Sequence, residues 1–380
     1  MTAVGMVYLV GAGPGDPELI TVKGSRLLRE ADVIVSDRLV DPRTLEEARP
    51  DAEQIDAGKG RGQGRMEQEE INTLLINLAR KGKQVVRLKG GDPFLFGRGG
   101  EEAEALAEAG VPFAVVPGIT SAIAAPAYAG IPVTHRTFAS SLTIVTGSED
   151  PSRKDSRINW ESLVQADTLV ILMGVETLPT IVAEILEAGK APETPVALVR
   201  WGSEPYQETI TGNLLDIVKR VEKAELKPPA VIVMGEVVRL REKLTWFDKG
   251  PLFGKRVLVT RTRQQASTLC RLLAQEGAWP LEMPTIVIEP VEDLSGLDSA
   301  LARLSGYRWV FFLSANAVDL FFARLRTLGR DPRAFGEAQI CAIGTGTAKA
   351  LEDQGLRPDY VPLGFVSEML LEGLQDRVVL

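Results

Sequence analysis

The sequence predicts an α/β protein with substantially parallel sheets, organised as two lobes followed by a further α/β region. Three observations carry this. Short apolar, β-branched runs alternate with stretches of helical periodicity along the whole chain. Glycine-rich turns follow several of the strand-like runs. The alternation restarts after a segment of charge, glycine and proline near residue 250.

The strand-like runs come in order as "VGMVYLVG", "ADVIVSD", "KQVVRLKG", "FAVVPG", "SLTIVTG", "DTLVILMG", "TPVALVRW" and "PAVIVMGEVV". Between them, 67–80 and 99–109 space their apolar residues as helices do. The small-residue stretch "TSAIAAPAYAGIPVTHR" marks a change of texture, and a lobe division is expected within 115–140. Within "LREKLTWFDKGPLFGKRVLVTR" a boundary is placed at 248–253. The strand pattern resumes beyond it with "RVLVTR", "WVFFLSA", "QICAIG" and "PDYVPL".

Composition bounds the function. The 380 residues exceed one ordinary domain, and 45% apolar with 25% charged residues suits a core-forming globular protein. No apolar run approaches the roughly 18 residues that span a bilayer, and the N-terminus is strand-like with no leader pattern. A cytoplasmic protein without membrane partners is expected. A formal charge of −8 argues against a nucleic-acid surface. Cys270 and Cys341 are far apart and His135 is the sole histidine, so no metal site is expected.

Three stretches concentrate chemistry. In "YLVGAGPGDPELIT", Gly11 and Gly13 match the dinucleotide fingerprint, but Asp16 stands where its third glycine belongs and Gly15 comes one place early. A strand ending in such a turn leaves N–H groups for a polar or anionic ligand, or makes a tight turn with Asp16 as a cap. "VRLKGGDPFLFGRGGEE" surrounds Phe94, Leu95 and Phe96 with glycines, a loop suited to close backbone approach to a ligand with an apolar part. "VPGITSAIAAPAYAGIPVTHR" puts Thr120 and Ser121 after a Pro-Gly turn, where they cap a helix or meet a ligand. His135 is read as structural.

Together with "DRLV", "GIPVTHR", "MG" at 173–174 and "LREKLTWF", these motifs over residues 5–247 resemble the tetrapyrrole (corrin/porphyrin) methylases, most closely the uroporphyrinogen-III C-methyltransferases. The resemblance implies two lobes, about 1–115 and 120–247, with S-adenosylmethionine between them and S-adenosylhomocysteine as product. Residue by residue, it implies cofactor contacts at Pro14, Gly90, Gly91, Asp92, Leu95, Thr120, Ser121, Met173 and Gly202. Ser121 departs mildly from the usual alanine, and "RWGSEPYQ" from the usual glycine-threonine form. Asp37 and Lys59 match positions with acid/base roles. Methylating a substituted pyrrole carbon requires a proton to leave afterwards, which a carboxylate near the ring can accept. Capping by Asp37 and carboxylate binding by Lys59 are the alternative roles. The substrate implied, uroporphyrinogen III, bears an acetate and a propionate on every ring. Arg38, Arg61, Arg65, Arg98 and Arg136 would meet it, and Lys89 also stands among these loop cations.

The implied reaction is two successive methyl transfers, at C2 and C7, giving precorrin-2 for sirohaem or cobalamin, by a homodimer. A family methylase acting on a later corrin intermediate, on RNA or on protein, and a non-catalytic S-adenosylmethionine-binding module, are the alternatives. An NAD oxidoreductase ranks last. Residues 254–380 resemble the uroporphyrinogen-III synthases through "GKRVLVTRTRQQASTLCRLLAQEGAWPLEMPTIVIEP", "WVFFLSANAVDLFF", "CAIGTGTAKALEDQGLRPDYVP" and "FVSEMLLEGL". This resemblance is partial. An open sheet edge, an uncovered apolar face and no cyclisation of hydroxymethylbilane are expected of the segment as it stands.

Overall fold

The computed structural model describes residues 4–58, 66–148, 158–261, 263–289 and 291–362. One compact unit extends to Thr285 and a second begins at Ile286.

In the first lobe, β1 (Val7–Gly11), β2 (Val33–Ser36), β3 (Glu53–Asp56), β4 (Val85–Lys89) and β5 (Phe113–Val116) form a sheet in the order β3-β2-β4-β1-β5. Every pairing is parallel. Helices α1 (Val22–Glu30), α2 (Gln68–Arg80) and α3 (Gly99–Glu108) cover it. The two-residue period divides each strand between two cores. Val7, Leu9, Val33, Val35 and Val85 pack with Leu75, Leu78 and Leu106 of α2 and α3. Val10, Ile34, Val86 and Leu88 pack with Leu27 and Leu28 of α1.

In the second lobe, α4 (Ser121–Tyr128) precedes β6 (Leu142–Thr146), α5 (Trp160–Leu163), β7 (Thr168–Leu172) and α6 (Leu178–Glu187). Then come β8 (Pro195–Arg200), β9 (Glu208–Asn213), α7 (Ile217–Lys223), β10 (Ala230–Met234) and α8 (Arg241–Leu244). The sheet order is β6-β7-β10-β8-β9. Here the expectation of a substantially parallel sheet needs correction, because only β6–β7 is parallel. β9 returns beside β8 after the short 201–207 loop, which permits only antiparallel pairing. β10 then fills the gap between β7 and β8, antiparallel to both. The alanines of α4 lie on Val170, Ala197, Val199, Val231 and Val233, so small residues bring this helix close to the sheet. The tail after α8 closes over α4, with the Tyr128 ring 5.1 Å from Trp246 and 4.8 Å from Phe247. The Trp246 indole donates to the Ala127 carbonyl at 3.0 Å.

The expected break at 248–253 is not a free tether. Leu252 N donates to Glu276 O at 3.0 Å, and the Phe247 and Phe253 rings meet at 5.6 Å. The parallel pair β11 (Arg256–Val259) and β12 (Trp279–Glu282), joined by α9 (Arg263–Gln275), therefore stays within the first compact unit. Tyr206 of the second lobe meets Trp279 at 4.8 Å, and Arg256 lies over the same indole. Leu258 and Leu281 of this pair remain exposed.

The second unit holds α10 (Ser295–Ala302), β13 (Trp309–Phe312), α11 (Ala315–Thr327), β14 (Gln339–Ala342) and α12 (Thr345–Asp353), with β13 and β14 parallel. Its core gathers Leu301, Phe312, Phe322, Leu325, Phe335, Ile340 and Leu351. "PDYVPL" contributes only a bridge between Tyr360 and Cys341. "FVSEMLLEGL" lies outside the described residues.

Candidate active site

The three chemistry-bearing stretches of the first 130 residues meet at the carboxyl ends of β1, β4 and β5, where open α/β sheets place ligands. Ala12 N donates to the Lys89 carbonyl at 2.8 Å, and Gly13 and Gly91 exchange backbone hydrogen bonds at 3.3 and 2.7 Å. Gly118 closes the junction from the third stretch. A Cβ there would lie 2.2 Å from the Gly91 oxygen and 2.7 Å from the Gly11 Cα. Asp92 ties the loops together, with Oδ2 accepting from Gly118 N at 2.9 Å and Oδ1 from Phe94 N and Leu95 N at 2.8 and 3.1 Å. Its carboxylate is thus committed to the protein. In the sequence, Gly118 is marked only by its Pro-Gly turn.

Gly91 has a φ of +68°, and a Cβ there would sit 3.8 Å from Thr120 Cα. There is room, so the penalty for a side chain is conformational, about 1–2 kcal/mol for a left-handed non-glycine residue. Gly91→Val is expected to weaken S-adenosylhomocysteine binding about tenfold or more, from this strain and the bulk beside the loop. Unchanged affinity by calorimetry would count against the loop as a cofactor contact.

The other expected contact positions are distributed as follows. Pro14 is half-buried in the first turn, and Gly90 follows β4 directly. Thr120 is the N-cap of α4, its hydroxyl accepting from Ala122 N at 3.3 Å, and Ser121 is the helix's first residue. Leu95 packs into the apolar cluster between α4 and the second sheet. Met173 follows β7, exposed. Gly202 is buried against α4, where a Cβ would lie 2.3 Å from the Ala125 Cβ. Six non-glycine residues with left-handed backbone occur among the described residues, and five are in these loops: Phe96, Arg98, Met173, Trp201 and Ser203. Strain of this kind gathers at ligand sites. His135 Nδ1 accepts from Thr137 N at 3.2 Å.

Asp16, which displaces the dinucleotide glycine, joins the lobes. Its Oδ1 accepts from Glu18 N at 2.9 Å, the capping role, and its Oδ2 from the Tyr128 hydroxyl at 3.0 Å. Its N–H donates to Ser203 Oγ at 3.1 Å. Beside it Arg43 bonds Asp41 at 2.9 Å and reaches across to Glu204 at 2.7 Å. Glu204 is buried and leans on the first turn, 2.6 Å from where a Cβ on Gly15 would stand. Burial, which outweighs Arg43, and the neighbouring Asp41 and Asp16 carboxylates push Glu204 up from 4.5 to about 7.

Between those two values the folded protein keeps a proton that the unfolded chain has released. This contribution to stability is full below about pH 4.5 and is lost as pH rises through about 7. Glu204→Gln is expected to remove this part of the pH dependence. Its melting temperature should fall less than that of the wild type between about pH 5 and about pH 8, by on the order of 5 °C. Parallel melting curves across that range would contradict the assignment.

Asp37 extends the α2/α3 face of β2 by one more step, after Val33 and Val35. On β4 the same face runs Val85, Arg87, Lys89, so an apolar face turns ionic at its carboxyl end. Arg87 Nη2 donates to Asp37 Oδ1, Nη1 to the Val35 carbonyl at 3.2 Å, and Nε to Glu102 Oε1 at 3.0 Å. Lys89 Nζ lies 2.9 Å from Glu102 Oε1 and 3.8 Å from Asp37 Oδ2. The Arg87, Lys89 and Glu102 side chains are 2%, 2% and 0% exposed, while that of Asp37 is 34% exposed. Burial opposes charge on Arg87, but Glu102 and Asp37 outweigh it and raise its pKa. For Lys89 burial and the Arg87 charge win, and its pKa is lowered. Removing one partner from such a buried set costs about 3–5 kcal/mol.

This corrects the reading of Lys89 as a cation facing substrate, since it is buried and bonded to Glu102. Arg87 and Glu102 were missed. Their one trace in the sequence is an arginine and a lysine two apart in an otherwise apolar strand, and no spacing marks Glu102 as the partner they meet. Arg38 and Arg136 are exposed. Arg98 is exposed and forks onto Glu101 at 2.6 to 3.1 Å, so its guanidinium already has a partner. Lys59, Arg61 and Arg65 lie outside the described residues.

A Gly-Gly-Gly backbone junction joins three loops at the strand ends, the second lobe is bonded to the first turn through Tyr128 and Ser203, and the part-exposed Asp37 carboxylate ends a neighbouring strand. Residues 6–218 match the family model for tetrapyrrole (corrin/porphyrin) methylases, and the chain belongs to that family. Residues 267–379 match the model for uroporphyrinogen-III synthase HemD. The chain is 42% identical over 375 residues to a porphyrin biosynthesis protein HemD of Ruminiclostridium josui, covering 98% of this chain and 74% of that protein. It is 41% identical over 352 residues to a uroporphyrinogen-III C-methyltransferase of Bacillus subtilis, covering 92% of this chain and 72% of the relative. Among solved structures, the uroporphyrin-III C-methyltransferase of Thermus thermophilus complexed with S-adenyl homocysteine is similar at a TM-score of 0.55 and 43% identity. That likeness covers 62% of this chain and all of the other. No helix among the described residues is long and apolar enough to cross a membrane.

Proposed function

We propose that this chain is an S-adenosylmethionine-dependent uroporphyrinogen-III C-methyltransferase, carrying out two successive methyl transfers, at C2 and C7, to give precorrin-2. The observation that carries the reading is the junction of Gly11, Gly91 and Gly118 with Asp37 at the ends of neighbouring strands. It supplies close backbone approach for a cofactor and a carboxylate acceptor in one place.

The residues present fit such a cofactor. The Asp92 carboxylate is used internally and Gly91 is bonded to Gly13, so the Gly90–Gly91–Asp92 segment offers close approach to its backbone and not a side chain. Exposed Met173 and the strained 201–203 loop offer apolar surface and further backbone from the second lobe. When bound, S-adenosylmethionine supplies a sulfonium-activated methyl group. Its transfer is a displacement, so orientation and exclusion of water are what the protein contributes to that step. The carbon attacked already bears an acetate and becomes quaternary, so the cation left on the macrocycle is neutralised by a proton leaving from the ring nitrogen or a bridging carbon. Asp37, partly open while its network is buried, is the group proposed to accept it. Lys59 is proposed to steady charge or return a proton. Arg38, Arg61, Arg65, Arg98 and Arg136 are proposed to hold the carboxylate rim of the substrate, with Arg98 exchanging Glu101 for it.

We assign residues 1–247 to this methylase and 254–380 to the synthase-like region. A cytoplasmic homodimer feeding sirohaem or cobalamin synthesis completes the proposal, its assembly state to be read by light scattering. Incubation with uroporphyrinogen III or a later corrin intermediate, each with labelled S-adenosylmethionine, tests the substrate. Label is expected in the first and not the second. Binding of the cofactor with label in neither would mean a binding module.

A further inference from the structure

We propose that Glu102, acting through Arg87 and with Lys89, is a positioning residue for methyl transfer that orients the Asp37 carboxylate and balances the charge around it. The inference rests on Asp37 being the proton acceptor.

Glu102 is wholly buried, so it does not touch substrate. Its Oε1 nevertheless takes three donors: Arg87 Nε at 3.0 Å, Lys89 Nζ at 2.9 Å and Gln68 Nε2 at 3.2 Å. Arg87 in turn places its three nitrogens on three different partners, Glu102, the Val35 carbonyl and Asp37. A planar guanidinium held at two edges has no freedom left at the third, so the Asp37 oxygen it binds is fixed by Glu102. Two cations and two carboxylates make the set neutral. Without the Glu102 charge, Arg87 and Lys89 would share Asp37 alone and draw it inward, away from the open side. Burial and the Arg87 charge lower the Lys89 pKa, and the Glu102 carboxylate opposes that. Of the four charged members of the network, Asp37 is the one that is partly open.

The test is a double-mutant cycle on kcat, using the full chain with S-adenosylmethionine and uroporphyrinogen III. Glu102→Gln is expected to lower kcat on the order of 10²-fold through misplacement of Asp37, with KM and S-adenosylhomocysteine affinity unchanged. In an Asp37→Ala background the same substitution should have no further effect on kcat. Arg87→Lys keeps the charge balance but cannot reach three partners, and it should repeat the pattern; it carries the cycle if Glu102→Gln does not fold. A loss that persists in full when Asp37 is already alanine overturns this proposal alone. An Asp37→Ala enzyme that turns over like the wild type overturns the acceptor reading and this proposal with it.

Discussion

Asp37→Ala is expected to lower the rate of methyl transfer by about 10²- to 10⁴-fold, the range a positioned proton acceptor contributes. S-adenosylhomocysteine should bind as tightly as before, because the glycine junction is built from the backbone of other segments. The removed carboxylate leaves Arg87 with Glu102 and the Val35 carbonyl, so the buried part of the network keeps its partners. Loss of turnover with intact binding separates a role after cofactor seating from a role in seating it. Initial rates and calorimetry on the same preparation read both quantities. Wild-type turnover in the variant would remove Asp37 from the mechanism.

Gly118→Ala is expected to fail in the opposite way, losing the cofactor site first. The added methyl would stand 2.2 Å from the Gly91 carbonyl oxygen and 2.7 Å from the Gly11 Cα, and neither neighbour is a side chain that can swing aside. Backbone must move, and overpacking of this kind costs typically about 1–3 kcal/mol. The movement also opens the Asp92–Gly118 hydrogen bond, which holds the second stretch to the third. We expect S-adenosylhomocysteine affinity to fall by at least about 100-fold, given that small misplacements at such sites are costly, together with a lower melting temperature. Retained affinity, measured by calorimetry on protein shown to be folded, would mean that the junction does not form the cofactor site.

Much of the first lobe was legible because its strands are buried on both faces. "VYLVG", "VIVS" and "VVRLK" read as strands from apolar content, and they pair in parallel as expected. β3 and β9 were not seen. β3 is "EQID", an exposed edge whose side chains carry no apolar alternation, and β9 is likewise half-exposed at the other sheet's edge. β12 opens with "WP" inside a loop-like run and escaped for a similar reason. The direction of β10 follows from which gap in the sheet it fills, which no local pattern records.

The site was legible where glycine spacing constrains backbone and illegible where charge is buried. Asp92 reads as a loop residue in sequence, and its three hydrogen bonds to N–H groups explain why an aspartate stands there. Asp16 reads as a cap, which it is, but its bond to Tyr128 depends on a helix more than a hundred residues away. Lys89 was read as a loop cation because lysine is rarely buried. Glu102 makes burial tolerable, and nothing in the spacing of 89 and 102 says that they face each other. The compact unit runs past the expected break at 248–253 because aromatic contacts around Phe247 and Trp279 fold that segment in.

One carboxylate and one cofactor site are proposed to serve two successive methyl transfers to the same tetrapyrrole. This is tested most directly by counting labelled methyl groups in the product formed from uroporphyrinogen III. The count should reach two per tetrapyrrole in wild-type protein, matched by S-adenosylhomocysteine released, and should collapse in Asp37→Ala. S-adenosylhomocysteine bound at the glycine junction with no label entering uroporphyrinogen III would contradict the account.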